Sequence, residues 1–129
     1  MNNAIFSVQR PHNEPVLSYA PGSPERAGLI NEIERISSET AEIPVIVNGK
    51  KILTGNTGKV VMPHDHRHVL ATYHMAGEKE AAEAIEAAMQ AKEMWMTMSW
   101  VERASIMMKA AQLLSKKYRY TIVAATMLG

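Results

Sequence analysis

His64-Asp65-His66-Arg67-His68, with His74 beyond, is the densest set of metal-ligating side chains in the chain. Alternate residues of a strand share a face, so His64, His66 and His68 on a strand would offer three imidazoles to one zinc or copper ion, with Asp65 holding a ring in place. Pro63 and Asp65 mark the stretch as a turn, however, where that alternation lapses. The favoured expectation is a solvated turn, and a small copper or zinc binding protein is the alternative. Met94-Trp95-Met96-Thr97-Met98 repeats the spacing of copper(I) sites, since thioethers select that ion. Such sites mostly serve exported compartments, and Met1 to Arg10 lacks the basic-then-apolar order of a leader. Met89, Met107 and Met108 fall on helical seams, so the ten methionines are expected to fill gaps in a core.

Gly55-Asn56-Thr57-Gly58-Lys59 superficially resembles a phosphate loop, yet the four-residue spacer and the Lys-Ser/Thr pair are missing and a strand follows instead of a helix. A hairpin turn is expected there. Glu25, Glu32, Glu34, Glu39 and Glu42 are scattered over a helix and a loop, as on a solvated face. No nucleophile elbow, zinc-protease motif or dinucleotide fingerprint occurs. The residues alone therefore assign no catalytic, cofactor-binding or metal position.

Composition narrows the class further. The 129 residues contain no cysteine, 14 Lys plus Arg against 13 Asp plus Glu, and 47% hydrophobic content. Without a thiol there is no disulfide framework, no cysteine-type zinc site and no cysteine nucleophile, which fits a reducing compartment and a cytoplasmic location. A net charge of +1 supplies none of the field that nucleic acid or an anionic membrane attracts, and no apolar run approaches a transmembrane span. Neither partner is expected.

Three stretches of different periodicity would carry these residues, and they set the expected domains at 1–42, 43–76 and 77–129. In the first, Pro11, Pro15, Pro21 and Pro24 exclude a helix over residues 10–24 and predict an extended arm. Ser23-Pro24-Glu25 then opens a short helix with Leu29, Ile30, Ile33 and Ile36 as its buried stripe. In the second, Ile43 to Val47 reads as one strand, Asn48-Gly49 as a type I′ turn and Lys50 to Leu53 as the returning strand. Lys59 to Met62 and Val69 to His74 complete an antiparallel meander. In the third, Glu78 starts a helix to about Met96, with Ala81, Ala84, Ile85, Ala88 and Met89 buried. Ser99-Trp100-Val101-Glu102 is a capping box for another. Its seam, Ala104, Met107, Met108, Ala111, Leu114, Tyr118, Ile122 and Ala125, runs unbroken, and at about 1.5 Å per residue the helix would be roughly 45 Å long, overhanging any core. The apolar Ala124-Ala125-Thr126-Met127-Leu128-Gly129 end reads as a point where a larger protein continues, with a self-associating interaction module as the alternative. The expected class is α+β: an arm and short helix, a β-meander and two long helices.

The block from Asn13 to Arg26, with Glu14-Pro15-Val16-Leu17-Ser18-Tyr19-Ala20-Pro21-Gly22-Ser23 at its centre, resembles the start of 1-pyrroline-5-carboxylate dehydrogenases. Glu42-Ile43-Pro44 leading into Val47-Asn48-Gly49-Lys50, and Pro63-His64-Asp65-His66-Arg67-His68-Val69-Leu70-Ala71-Thr72-Tyr73-His74, extend that resemblance. Ala87-Ala88, Trp95, Glu102-Arg103-Ala104 and Ala110-Ala111-Gln112-Leu113-Leu114 are similar to the opening helices of aldehyde dehydrogenases generally. The resemblance implies a chain that forms part of the α/β aldehyde dehydrogenase fold, its last third starting the dinucleotide-binding domain. It implies NAD-dependent oxidation of L-glutamate 5-semialdehyde to L-glutamate, in proline catabolism, through a cysteine thiolate and a glutamate base. In the family those residues, and the loops holding the dinucleotide, come from later segments. No site residue is carried over, no NAD is expected on this chain alone, and the histidine turn becomes a structural turn. The complete enzyme would take a small-molecule substrate and form a homo-oligomer, or associate through the apolar C-terminal helix.

Overall fold

The computed structural model describes residues 12–129. The arm reading for residues 1–11, Pro11 included, lies outside them. The described residues form α1 (Pro24–Ser38), β1 (Ala41–Ile43), β2 (Val45–Val47), β3 (Lys50–Ile52), β4 (Thr57–Met62), β5 (Asp65–His74), α2 (Glu78–Thr97), α3 (Trp100–Gln112) and α4 (Arg119–Leu128), with a π-helical segment at Leu113–Lys117. This is the mixed α+β content expected, in a different arrangement.

Local chemistry sets the element ends. The Ser23 hydroxyl accepts from the Arg26 N–H at 3.3 Å, and Pro24 occupies the first helical position, where its missing N–H costs nothing. At α3 the Ser99 hydroxyl accepts from the Glu102 N–H at 3.3 Å while the Glu102 carboxylate accepts from the Ser99 N–H at 3.1 Å. Asn48 and Gly49 take φ of 48° and 73°, as a type I′ turn requires, and pair Val47 with Lys50.

The meander expected over 43–76 is corrected. Pro44 has no N–H to give a ladder, and the chain changes sheet there. Ile43 belongs to β1, which runs parallel to β5 with Ala41 opposite Ala71, whereas Val45 starts β2, paired only with β3. The sheets are thus β1-β5-β4 and β2-β3. Gly55 to Lys59 is accordingly not a hairpin turn: it carries the chain from one sheet to the other, and Asn56 accepts from the Met75 N–H at 2.8 Å.

The core lies where α1 and α4 close over the larger sheet. Met62, Leu70 and Leu128 are buried together, with Ile33, Ile36 and Val60 packed on them. Gly28 on α1 lets the Tyr120 ring approach, since a Cβ there would sit 2.7 Å from Cε2.

The last third departs most from expectation. The stripe Ala81, Ala84, Ile85, Ala88 and Met89 is exposed, Ile85 at 67% and Met89 at 62%. The face of α2 turned to the β2-β3 hairpin is the one bearing Glu83, Glu86, Ala87 and Gln90. The Met94 to Met98 stretch and Met107 and Met108 are likewise largely exposed, so they fill no core among the described residues. Nor does one straight helix reach Leu128. The helical phase breaks between α3 and α4, where Leu113–Lys117 is π-helical and Tyr118 takes φ of −103° and ψ of 9°. Ile122 and Ala125, the expected seam, are exposed, and the residues just before them, Thr121 and Ala124, face inward with Leu128. The turn brings α4 back onto α1 instead of overhanging. Among the described residues no helix is long and apolar enough to cross a membrane.

Candidate functional site

The histidines do not converge. His64 sits in the turn before β5, while His66 and His68 lie within the strand, contrary to the expected turn. Pairing nevertheless jumps from Val61 opposite Val69 to Met62 opposite Asp65, so residues 66–68 bulge out of the ladder and lose strict alternation. His66 is exposed, whereas His68 Nε2 lies 2.9 Å from the Ser37 carbonyl, to which it donates at the last turn of α1. Among the described residues no three or more His, Asp or Glu side chains are placed to hold a metal ion. His74 serves a joint between strands: Nδ1 accepts from the Gly55 N–H at 3.2 Å, which leaves the proton on Nε2 facing Glu42 Oε1 at 3.4 Å.

Two carboxylates expected on a solvated face are therefore engaged. Glu42 meets His74 across the sheet, and Glu32 Oε1 accepts from both Arg35 Nη2 and the Thr121 hydroxyl, each at 2.7 Å. Those hydrogen bonds, Arg35's first and Thr121's second, hold the Glu32 carboxyl at about 2.

One guanidinium that residue patterns do not mark gathers three different residues. Arg119 Nη1 donates to Glu14 Oε2 at 3.0 Å, Nη2 to the Pro15 carbonyl at 3.4 Å and Nε to the Tyr19 hydroxyl at 3.4 Å. Its partners lie a hundred or more residues away, so no local spacing reveals them. Tyr19 has φ of 52°, a conformation that costs about 1–2 kcal/mol in a non-glycine residue. Arg26, which donates to the Tyr19 carbonyl at 3.4 Å, and Arg119 hold it from opposite ends. Between this arm and the π segment runs an open groove of about 900 Å³ bordered by Leu17, Met108, Lys116 and Arg119. Arg119's pKa is raised, chiefly by the Tyr19 hydroxyl, and its charge is spent on the arm. The junction is a fastening.

A dinucleotide would need a cradle of free N–H groups, most often at a helix start. The Gly77 N–H at the start of α2 is taken by Glu80 at 2.8 Å, and the Ser99 N–H at the start of α3 by Glu102. Both carboxyl pKa values are lowered, Glu80 chiefly by the Gly77 N–H and Glu102 chiefly by the Ser99 hydroxyl, so an anion occupies each helix end already. The Ser23 hydroxyl fills the same role at α1. At these three helix starts the capping N–H groups are engaged and leave no ready cradle for a dinucleotide phosphate.

Residues 52–127 match the model of the aldehyde dehydrogenase family. The chain belongs to that family. Over 127 residues this aldehyde dehydrogenase sequence is 49% identical to the Delta-1-pyrroline-5-carboxylate dehydrogenase of Agaricus bisporus, covering 98% of this chain and 23% of that one. It is 38% identical over 126 residues to the mitochondrial Delta-1-pyrroline-5-carboxylate dehydrogenase of Dictyostelium discoideum, with 98% and 23% covered. The solved Delta-pyrroline-5-carboxylate dehydrogenase of Mycobacterium tuberculosis, bound with NAD and cobalamin, shares its fold at a TM-score of 0.93 and 40% identity, over 99% of this chain and 24% of that one. The aldehyde dehydrogenase chain described here thus spans about a quarter of the length of these relatives.

Proposed function

We propose that this chain is the N-terminal portion of an NAD-dependent 1-pyrroline-5-carboxylate dehydrogenase, an enzyme oxidising L-glutamate 5-semialdehyde to L-glutamate in proline catabolism. The identity of 49% over 127 residues to the Agaricus bisporus enzyme carries the proposal. Within it the chain is scaffold. No residue here is assigned to catalysis, to NAD or to a metal, and the chain alone is inactive. A thiol nucleophile is required for the family's chemistry, and the sequence has none.

The proposed division places an arm and helix in 1–42, the sheets in 43–76 and the start of the dinucleotide-binding domain in 77–129. NAD would supply the hydride acceptor in the complete enzyme, bound by residues outside this chain. The complete enzyme is proposed to be a cytoplasmic homo-oligomer. Location is open to fractionation, since the Dictyostelium relative is named mitochondrial. Exposed Ile122 and Met127 on α4 support self-association, which light scattering would read.

The test pairs two proteins. The purified 129-residue chain should form no NADH from 1-pyrroline-5-carboxylate and NAD⁺ above a blank. A chimera in which this chain replaces the matched segment of the Agaricus bisporus enzyme should form it. Turnover by the chain alone would overturn the scaffold role, and a folded chimera that ignores this substrate would overturn the substrate assignment.

A further inference from the structure

We propose that Asn48 is a site of covalent self-modification, losing its side-chain amide to become aspartate or isoaspartate, and that the new carboxylate loosens the β2-β3 hairpin from α2. The step is independent of the reaction the complete protein catalyses.

The nucleophile is the Gly49 backbone nitrogen. Its N–H gives up a proton, a bond forms from that nitrogen to Asn48 Cγ, the Cγ–Nδ2 bond breaks, and Nδ2 leaves as ammonia. Water then opens the succinimide ring at either carbonyl, so one water is consumed and one ammonia released for each carboxylate made. The turn supplies what this needs. Asn48 and Gly49 are both exposed, so water and base reach them. Val47 pairs with Lys50 across the hairpin, and among the described residues the Gly49 N–H has no acceptor. Nothing lies within 4 Å of where a Gly49 Cβ would stand, so no side chain shields the nitrogen.

Rigidity opposes ring closure, because the turn must flex to bring the nitrogen onto Cγ. This hairpin has little rigidity to offer. Its two strands have three residues each and form a sheet of their own, separate from β1-β5-β4. A two-stranded hairpin alone is marginally stable, so its turn opens often. Other asparagines lack this setting. Asn31 lies inside α1, where the following N–H belongs to the helix ladder, and Asn56 precedes β-branched Thr57, the first residue of β4.

The product appears among like charges. Asn48 borders a cavity of about 260 Å³ between the hairpin and α2, with Lys50 beside it and Glu83 and Glu86 on the helix. Those two carboxylates already have partners, Lys79 at 4.0 Å from Glu83 and Gln90 Nε2 donating to Glu86 at 3.1 Å. A carboxylate at position 48 brings a third anion to a cavity bordered by one lysine, a repulsion that grows as ionic strength falls. Isoaspartate also adds a methylene to the backbone, which a two-residue type I′ turn does not accommodate.

The experiment incubates the purified chain at mildly alkaline pH, folded and in guanidinium, and follows each asparagine by peptide mass and isoaspartate by enzymatic methylation. Folded Asn48 should lose its amide within about tenfold of its unfolded rate, while Asn31 and Asn56 keep theirs. A folded rate lower than that, or one no faster than at Asn31 and Asn56, would overturn the modification. Asn48→Gly should abolish the isoaspartate signal, and a signal that persists places the reaction elsewhere and overturns the assignment. Asn48→Asp supplies one product directly. It should speed hydrogen exchange of the Val47 and Lys50 amides about threefold at low ionic strength, and the gain should vanish in high salt or with Glu83→Gln and Glu86→Gln together. No gain, or a gain that survives both, would overturn the charge-driven loosening.

Discussion

The Thr121 hydroxyl donates to Glu32 Oε1 at 2.7 Å, the oxygen that also receives Arg35 Nη2. One carboxylate thereby ties α4 to α1 and anchors its own helix. Its pKa is lowered from 4.5 to about 2, so the folded state binds a proton at Glu32 less readily than the unfolded chain does. The sign is fixed by linkage: the contribution is complete above pH 4.5 and disappears as pH falls toward 2. Melting temperature followed from neutral to acid should drop across that window. In Glu32→Gln the stability should be lower at neutral pH and the acid limb flatter. Thr121→Val, which keeps Arg35 and removes one donor, should leave a smaller version of the same limb.

A second joint between those helices depends on a missing side chain. Gly28 lies under the Tyr120 ring, with Cε2 only 2.7 Å from the place a Cβ would take. Alanine favours a helix over glycine by about 1 kcal/mol, and the overpacking costs about 1–3 kcal/mol, so Gly28→Ala should be neutral to destabilising by up to about 2 kcal/mol. In a Tyr120→Ala background the same change should become stabilising. Urea midpoints of the two singles and the double give the coupling, and additivity would show that the ring does not bear on Gly28.

What was legible in the sequence was local. Ser23, Ser99 with Glu102, and Asn48-Gly49 each act through backbone groups within three residues, so type and spacing sufficed. The expected seam of α3 and α4 assumed one unbroken helical period, and nothing in Leu113-Leu114-Ser115-Lys116-Lys117 announces the π-helical turn that breaks it. Met107, Met108 and Ala111 before that turn are exposed, because a period names a face and not its partner. Pro44 was visible, but its consequence, a strand leaving one sheet for a parallel partner near Ala71, depends on residues about thirty positions away. The candidate site was least legible. Glu14, Tyr19 and Arg119 have no spacing in common, and the choice of His68 over His66 as the bonded ring was made by a bulge in β5. The stripes of α2 were read correctly as apolar and wrongly as buried, since periodicity reveals a face but not its partner.

The hairpin turn offers a clean measure of backbone conformation alone. Gly49 has φ of 73° and nothing within 4 Å of where a Cβ would stand. Gly49→Ala should cost about 1–2 kcal/mol from the left-handed conformation, with no packing term. Asn48→Gly, at φ of 48°, should be tolerated within a few tenths, as glycine adopts that conformation freely. If Gly49→Ala left the unfolding midpoint unchanged, the β2-β3 hairpin would not be part of the cooperative unit.

His68 separates a structural role for the histidines from a metal one. Its Nε2 lies 2.9 Å from the Ser37 carbonyl, in a half-buried contact that ties β5 to the end of α1, whereas His64 and His66 are exposed. His68→Ala should lower stability by about 1–2 kcal/mol, because it leaves that carbonyl without its donor. His64→Ala and His66→Ala should stay within about 0.5 kcal/mol of the parent, as surface substitutions do. Zinc added at one equivalent should shift none of the four melting curves. A metal site built from the three rings predicts the opposite ordering: zinc would raise the parent's melting temperature, and removing any one of the three would abolish the rise to a similar degree. Melting curves with and without zinc therefore decide between a ring that fastens α1 to the sheet and a ring that waits for an ion.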